Sequence, residues 1–395
     1  MKELLLYGPV NSLGYGIHFT NFASSLIPML KERDVQCGII PVSQPQVDPN
    51  TLTPEFREAM ERGKFTSHKT TSINLWHQND MAHFTGGRRI GYPVFEMEKM
   101  SAVEQFQLSQ LDEIWVVSQW AKDVIKNQAH LCDMDVHVVP EGVNSDIFCP
   151  GEGQSFKDTS FEHTFVSVGK MEKRKGFSVM LEAFKMFLNT KNIKPSRLLW
   201  HCYNPFLRDF SNDVRNCLAS FGFTISEEER TDNWTRFRST QNKDFAIDVV
   251  TCLNMPTSKV AEMYQAADTG IFASFAEGWN LPLLEAMSSG LPCIANMKTG
   301  PTEYLTESNS LCIQEAKPIM ANDGVYFHGN QGNWYVPKIS SVYKQMLYAV
   351  SGSQELEDVA AAARETALKF SWDNAARQAV KALEANGFLE ANVID

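Results

Sequence analysis

Short apolar runs alternate with longer segments of helical period along almost the whole chain. The first runs are LLLY (4–7), SINLW (72–76), RIGYPVF (89–95), EIWVVS (113–118) and VHVVP (136–140). Helices are predicted from about Ile17 and, after the fourth run, through about Asn127. This alternation predicts parallel strands joined by helices, the doubly wound α/β pattern. At 150–160 the composition changes to PGEGQSFKDTS, polar and turn-rich, which marks a linker. The alternation then restarts with HTFVSVG (163–169), a helix over about 177–190, RLLWHCY (197–203) and DVVTCL (248–253). A helix over about 257–266, DTGIFAS (268–274) and LPCIA (291–295) complete it. Two similar domains facing a cleft are expected, spanning 1–152 and 160–371. The tail FSWDNAARQAVKALEANGF (370–388) predicts a capped amphipathic helix with Trp372, Ala375, Ala376, Val380 and Leu383 on one face.

Length and charge narrow the function classes. A chain of 395 residues is long for one core and comfortable for two domains. The net charge of −11 is spread evenly over both halves, so neither is the basic body of a dedicated nucleic-acid binder, although Arg88-Arg89 is a local basic patch. Nucleic acid is disfavoured as a partner. The run LLLY is too short for a signal-peptide core or a membrane span. The eight cysteines are scattered without a C-x-x-C pair, which argues against a zinc cage or disulfide framework and fits a reducing cytoplasm.

Three stretches carry candidate chemistry. The first strand runs into GPVNSLGYGIHF, where Gly14 and Gly16 stand between a buried strand and a helix N-terminus. Such a turn either lets a bulky ligand approach the backbone or is a plain tight turn. There is no P-loop, and no acidic residue at the spacing of a dinucleotide fingerprint. In SVGKMEKRKGF (167–177), Lys170 and Lys175 flank a loop at the carboxyl edge of a parallel sheet, where α/β folds bind ligands. The loop is either a solvated basic turn or a phosphate cradle. In FAEGWNLPLLEAMSSG (275–290), a strand leads through Glu277 and the turn Gly278-Trp279-Asn280 into a helix with Pro282 in its first turn and Gly290 at its end. The free amides near Asn280 and Leu281 can hold a diphosphate, and Glu285 can accept two hydrogen bonds from a ribose diol. Taken singly, Glu277 and Glu285 are each as well explained as a loop acid and an exposed helix residue. Jointly, they complement the basic loop.

The G-K-x-E-x-x-K-G loop, followed by an E-x7-E element in the second of two Rossmann-like domains, resembles glycosyltransferase family four. The resemblance extends to VVPEGVN (138–144) before the linker and to the FSW-containing last helix. It implies the GT-B fold: two Rossmann-like doubly wound domains, the N-terminal one binding acceptor and the C-terminal one binding nucleotide sugar. A last helix, about 372–395, would cross back onto the N-terminal domain. It implies that Lys175 binds donor phosphate and that Lys170 stands where the family usually has arginine, keeping the charge but losing the bidentate fork. Glu285 matches the glutamate on the nucleotide ribose, and Glu277 the one on the donor sugar's hydroxyls. Gly16 matches a loop glycine near the diphosphate, and Asn280 takes a place where the family often has glycine. Where the family often has a histidine near the reacting centre, this chain offers Glu96, with His77 as the rival.

The reaction so implied moves a sugar from a nucleotide-diphosphate sugar, UDP- or GDP-linked, to an acceptor hydroxyl with retention of configuration. No cofactor is expected, and lysines plus a helix N-terminus take the part of a divalent metal. The acceptor wall is expected over 60–100, where aromatics mix with Lys64, Arg88 and Arg89; it suits a glycan or a lipid-linked sugar. Cytoplasmic placement with peripheral membrane contact is compatible with it. Other readings on the same fold are a nucleotide-sugar epimerase and a non-catalytic nucleotide-sugar binding protein.

Overall fold

The computed structural model describes residues 2–205, 209–230, 234–252 and 254–391. Leu253, the end of one expected strand, and 392–395, the end of the expected last helix, lie outside them. The first half holds six strands, β1 (Lys2–Gly8), β2 (Val35–Pro41), β3 (Thr71–Asn74), β4 (Arg88–Gly91), β5 (Glu113–Val116) and β6 (Val136–Val138). They form one parallel sheet in the order β2-β1-β3-β4-β5-β6. Leu6 of β1 lies opposite Ile39 on one side and Ile73 on the other, so apolar side chains run across the sheet under its helices. Those helices are α1 (Gly14–Lys31), α2 (Pro54–Gly63), α3 (Ala102–Ser109) and α4 (Gln119–Lys126). Ser101 and Glu104 form a capping box on α3, and Ser118 caps α4 through the amide of Ala121.

The second half repeats the plan with β7 (His163–Lys170), β8 (Ser196–Tyr203), β9 (Phe223–Arg230), β10 (Thr235–Ser239), β11 (Phe245–Val250), β12 (Thr269–Phe272), β13 (Cys293–Ala295) and β14 (Leu311–Cys312). Their order is β14-β13-β12-β7-β8-β11-β10-β9, with β9 and β10 antiparallel at one edge. A separate hairpin, β15 (Ala316–Asn322) with β16 (His328–Pro337), follows. The helices are α5 (Phe177–Leu188), α6 (Phe210–Ser220), α7 (Thr257–Gln265), α8 (Leu281–Ser288), α9 (Ile339–Ala349), α10 (Gln354–Lys369) and α11 (Trp372–Ala385). Neither β9–β10 nor the hairpin has a run apolar enough to be picked out from the sequence: the hairpin is largely exposed along β15. Among the described residues no helix is long and apolar enough to cross a membrane.

The expected face of the last helix is real. Trp372, Ala375, Ala376, Val380 and Leu383 are all buried, and α11 packs on α1 of the first half. Ser371 caps α11 through the amide of Asn374, and the bridge from Val143 to Ser371 brings the chain back across the linker. Three sequence expectations shift. The third run, RIGYPVF, is a strand only to Gly91, because Pro93 has no amide to extend a ladder. Helix α1 begins at Gly14, not Ile17, so both glycines lie in its first turn. Arg88 and Arg89 open β4, at the amino edge of the sheet, and do not line the cleft wall. Arg88 pairs with Glu113 at 2.9 Å and donates to the carbonyl of Asn386, while Arg89 donates to the carbonyl of Gln110. Lys64 is likewise taken up by Glu61, at 2.6 Å.

Candidate active site

The site is assembled at the carboxyl edge of the second sheet. Strand β7 ends at Lys170, and the chain turns through a short 3-10 segment, Lys173–Lys175, into α5. Gly176 makes the turn with φ of 71°, and a side chain there would stand 1.9 Å from the carbonyl oxygen of Ala273. Only glycine lets the loop lean on the exit of β12. The turn carries Arg174 inward, where it is buried. Its guanidinium donates to the carbonyl of Ala276 at 2.7 Å and to Glu277 at 2.8 Å. It also pairs with Glu96 at 3.0 Å and with Glu172 at 3.5 Å. Burial works against this charge, and Glu96, Glu277 and Glu172 more than offset it, raising the pKa. Lys175 reaches Glu277 at 2.7 and 2.9 Å, and Lys170 pairs with Glu172 at 2.8 Å.

Glu277 is buried and fixed at both ends. Its amide donates to the hydroxyl of Thr299 at 2.9 Å, and its carbonyl accepts from the amide of Gly300 at 2.9 Å. Thr299 has φ of 60° and ψ of −144°, a conformation that a β-branched residue adopts only under constraint, at a cost of about 1–3 kcal/mol. The strain sits where it holds Glu277. Burial raises the carboxyl's pKa, but Lys175 and Arg174 overcome it and hold the group at about 2.

Helix α8 begins four residues on. Its N-cap, Asn280, has φ of 80° and ψ of 67°, a left-handed conformation that glycine favours and asparagine tolerates. Pro282 has no amide and those of Leu283 and Leu284 donate to the carbonyl of Asn280 at 3.1 and 3.3 Å, so the Leu281 amide and the positive end of the helix dipole are what the first turn offers an anion. One turn in, half-buried Glu285 lies 3.4 Å from the hydroxyl of Tyr264. Burial drives its pKa up to about 8; the Tyr264 hydroxyl opposes this and Glu141 adds to it.

Across the cleft stands the first half. Glu96 is the carboxylate that meets Arg174, so it does reach the site from the loop after β4. Desolvation lowers the pKa of His77, with Glu96 opposing and Lys170 reinforcing, so both loops act on this histidine. Gly14 is open, with no neighbour near its missing side chain. Gly16 is different: a side chain there would strike the carbonyl of Asn11 at 2.2 Å, so its smallness serves the turn itself. A side chain on Gly278 would meet Val94 at 2.7 Å and the carbonyl of Phe95 at 2.9 Å, so this glycine lets the halves touch. Beside it, Glu98 joins the hairpin, accepting from Asn333 at 3.0 Å and from Tyr335 at 2.8 Å.

The structure thus gathers Lys170, Lys175, Glu277 and Glu96 around Arg174. It sets Glu285, Asn280 and Leu281 on α8 beside them. Trp279, expected to bind donor together with Gly278, Asn280 and Leu281, has its indole fully buried against Tyr304 and Phe370, and its carbonyl accepts from the Tyr304 hydroxyl at 2.7 Å, so its side chain belongs to the core. Arg174 is not singled out by the sequence, where it stands in the unbroken KRK run and nothing tells a buried arginine from a solvated one; Glu172, the glutamate of the quoted loop motif, is given no role there.

Residues 162–323 match the model of a family described as Glycosyl transferases group 1. Among curated proteins, O-antigen chain mannosyltransferase B of Escherichia coli is 23% identical over 216 residues, which cover 54% of this chain. The match spans only 44% of that relative's length. Among solved structures, sucrose-phosphate synthase of Thermosynechococcus elongatus superposes with a TM-score of 0.68 at 14% identity, covering 98% of this chain and 99% of that one. Anabaena HepE in complex with UDP-glucose gives a TM-score of 0.63 at 11% identity, with 98% and 100% covered.

Proposed function

For a chain with the GT-B fold whose residues 162–323 match the group 1 glycosyltransferase model, we propose transfer of a sugar from a nucleotide-diphosphate sugar to an acceptor hydroxyl, with anomeric configuration retained and no divalent metal required. The observation that carries the reading is the array of Lys170, Arg174 and Lys175 beside the N-terminus of α8, interleaved with Glu172, Glu277 and Glu96. Negative charge grows on the departing diphosphate as the glycosidic bond breaks. Fixed cations and helix amides that await that charge stabilise the transition state without reorganisation, which is where most of the rate enhancement is expected.

The ion pairs divide the work. Arg174 is locked among three carboxylates and positions them. Lys175, paired with Glu277, turns its ammonium toward phosphate when the donor enters, and Glu277 keeps its charge for the hydroxyls of the donor sugar. Glu285 accepts from the ribose diol. Departure of the diphosphate and arrival of the acceptor on the same face of the sugar give retention, with a donor phosphate oxygen taking the acceptor proton. Closure of the two halves excludes water from the reacting centre.

A UDP-sugar or a GDP-sugar is the donor. The HepE structure contains UDP-glucose, which supports the first, and the name of the E. coli relative makes mannose a sugar to test. The acceptor is a glycan or a lipid-linked sugar, met at the cytoplasmic side of a membrane. A nucleotide-release assay across UDP-, GDP-, ADP- and TDP-sugars, with and without EDTA and without acceptor, tests the reading. Slow hydrolysis of one donor, unchanged by EDTA, supports it. Loss of that hydrolysis in EDTA overturns metal independence. Tight nucleotide binding, with no turnover even when glycan and lipid-linked acceptors are added, overturns transfer in favour of a non-catalytic sugar-nucleotide binder.

A further inference from the structure

The N-terminal wall of the cleft carries a cluster that the donor chemistry does not use. Tyr15, from the first turn of α1, and His77, at the exit of β3, bring their rings to 4.3 Å between centroids. Trp76 completes the group, 5.2 Å from His77 and 6.2 Å from Tyr15. Tyr15 and Trp76 are only half-buried, and His77 keeps an accessible face. The cluster is fixed by polar contacts at its rim. The indole N–H of Trp76 donates to Asp80 at 3.2 Å, and the Tyr15 hydroxyl donates to the carbonyl of Val94, two residues before Glu96. Its place beside the site follows from the chain path: the Tyr15 hydroxyl holds Val94, and Glu96, two residues on, pairs with Arg174 at 3.0 Å.

A set of partly open aromatic faces bordered by carboxylates has a characteristic ligand. The C–H face of a pyranose ring packs on an aromatic ring, and its hydroxyls donate to carboxylates at the rim. Asp80, held by the Trp76 indole and His83, and Glu96, held by Arg174, keep lone pairs for those hydroxyls, whereas an alkyl chain would make no use of this acceptor rim and a phosphate or polyanion would be repelled by it. We propose that Tyr15, Trp76 and His77, with Asp80 and Glu96 at the edge, form the acceptor subsite, and that what they hold is a sugar ring. This rests on the transferase reading above and specifies its acceptor. Whether the sugar is free or the head of a lipid carrier, the ring is the part recognised.

Saturation-transfer NMR on the full chain tests this with methyl α-glycosides of glucose, mannose, galactose and N-acetylglucosamine, and with glycerol as a polyol that has no ring. At least one glycoside is expected to receive saturation well above glycerol. Trp76→Ala is expected to cut that signal by about fivefold, the size of one lost stacking contact, and Trp76→Phe to keep most of it. Unchanged UDP and GDP affinity in the alanine variant serves as the check that it is folded. No glycoside above glycerol, or a signal undiminished in folded Trp76→Ala, overturns the subsite. Donor hydrolysis without acceptor is measured on the same sample. Hydrolysis with no glycoside signal sinks the subsite alone, whereas a glycoside signal without hydrolysis or transfer sinks the transferase reading and leaves a sugar-binding cleft.

Discussion

Two carboxylates eight residues apart in one continuous element end in opposite electrostatic states. Glu277, on the loop, is buried among Arg174 and Lys175 and is held ionised with a pKa of about 2. Glu285, one turn into α8, is paired with no cation among the described residues and is pushed to about 8, with a tyrosine hydroxyl as its near partner. Burial acts in the same direction on both. What differs is the neighbourhood that other parts of the chain supply, so an identical residue becomes a permanent anion in one place and a titrating group in the other. The division suits the proposed chemistry. A fixed anion orients a sugar and a lysine at any working pH, while a group poised near neutrality gains charge when a diol arrives to donate to it.

The largest effect should come from removing the cation behind Glu277. Arg174→Ala leaves Glu96, Glu172 and Glu277 facing one another with only lysines to screen them, and should cost about 3–5 kcal/mol of stability. Chemical denaturation measures it, and a loss below about 1 kcal/mol would show that the network does not depend on Arg174. Next comes Lys175→Ala, expected to lower turnover by about a hundredfold or more while the fold persists, because Arg174 still neutralises Glu277. Near wild-type turnover would remove Lys175 from the phosphate role.

A third comparison concerns nucleotide affinity. If ionised Glu285 receives the ribose diol, affinity for the nucleoside diphosphate should tighten by about tenfold between pH 7 and pH 9, and Glu285→Gln should be flat over that range. A wild-type curve as flat as the variant's would break the assignment.

The last comparison is of stability against pH, and its sign separates the two residues. The folded pKa of Glu277 lies below the ordinary 4.5, so its contribution is present above about 4.5 and is lost as pH falls toward 2. The folded pKa of Glu285 lies above 4.5, so the folded state holds a proton that the unfolded chain gives up, and stability falls as pH rises from about 4.5 through 8. Thermal midpoints of wild type against Glu277→Gln should therefore converge on acidification, and those of wild type should drop relative to Glu285→Gln on going from pH 5 to pH 8. Parallel shifts in the two variants would contradict the contrast.

Much of this molecule was legible in its sequence because period and punctuation are local. The apolar runs from LLLY to LPCIA place most strands of both sheets, since buried parallel strands need continuous apolar stretches. Pro282 and Gly290 bracket α8, and Gly290 indeed lies just past its end with φ of 85°. The amphipathic stripe of α11 predicted its buried face. What stayed hidden had no local signature. The hairpin of β15 and β16 is stabilised by Trp334 packing on Phe275 and by Glu98 from the other half, not by its own pattern. Arg174 reads like its lysine neighbours until three acids, drawn from positions 96, 172 and 277, close on it.

By itself the sequence determined the doubly wound architecture, the basic loop and the spacing of the two glutamates. These depend on residue type, turn chemistry and helical period, which act over a few positions. Only the tertiary structure decided that Trp279 is core and that Arg88 belongs to the far edge of a sheet. It likewise decided that Tyr15, Trp76 and His77 share a wall and that Glu277 and Glu285 part company in charge. Burial and Coulomb interaction depend on distance in space, and distance along the chain does not report it.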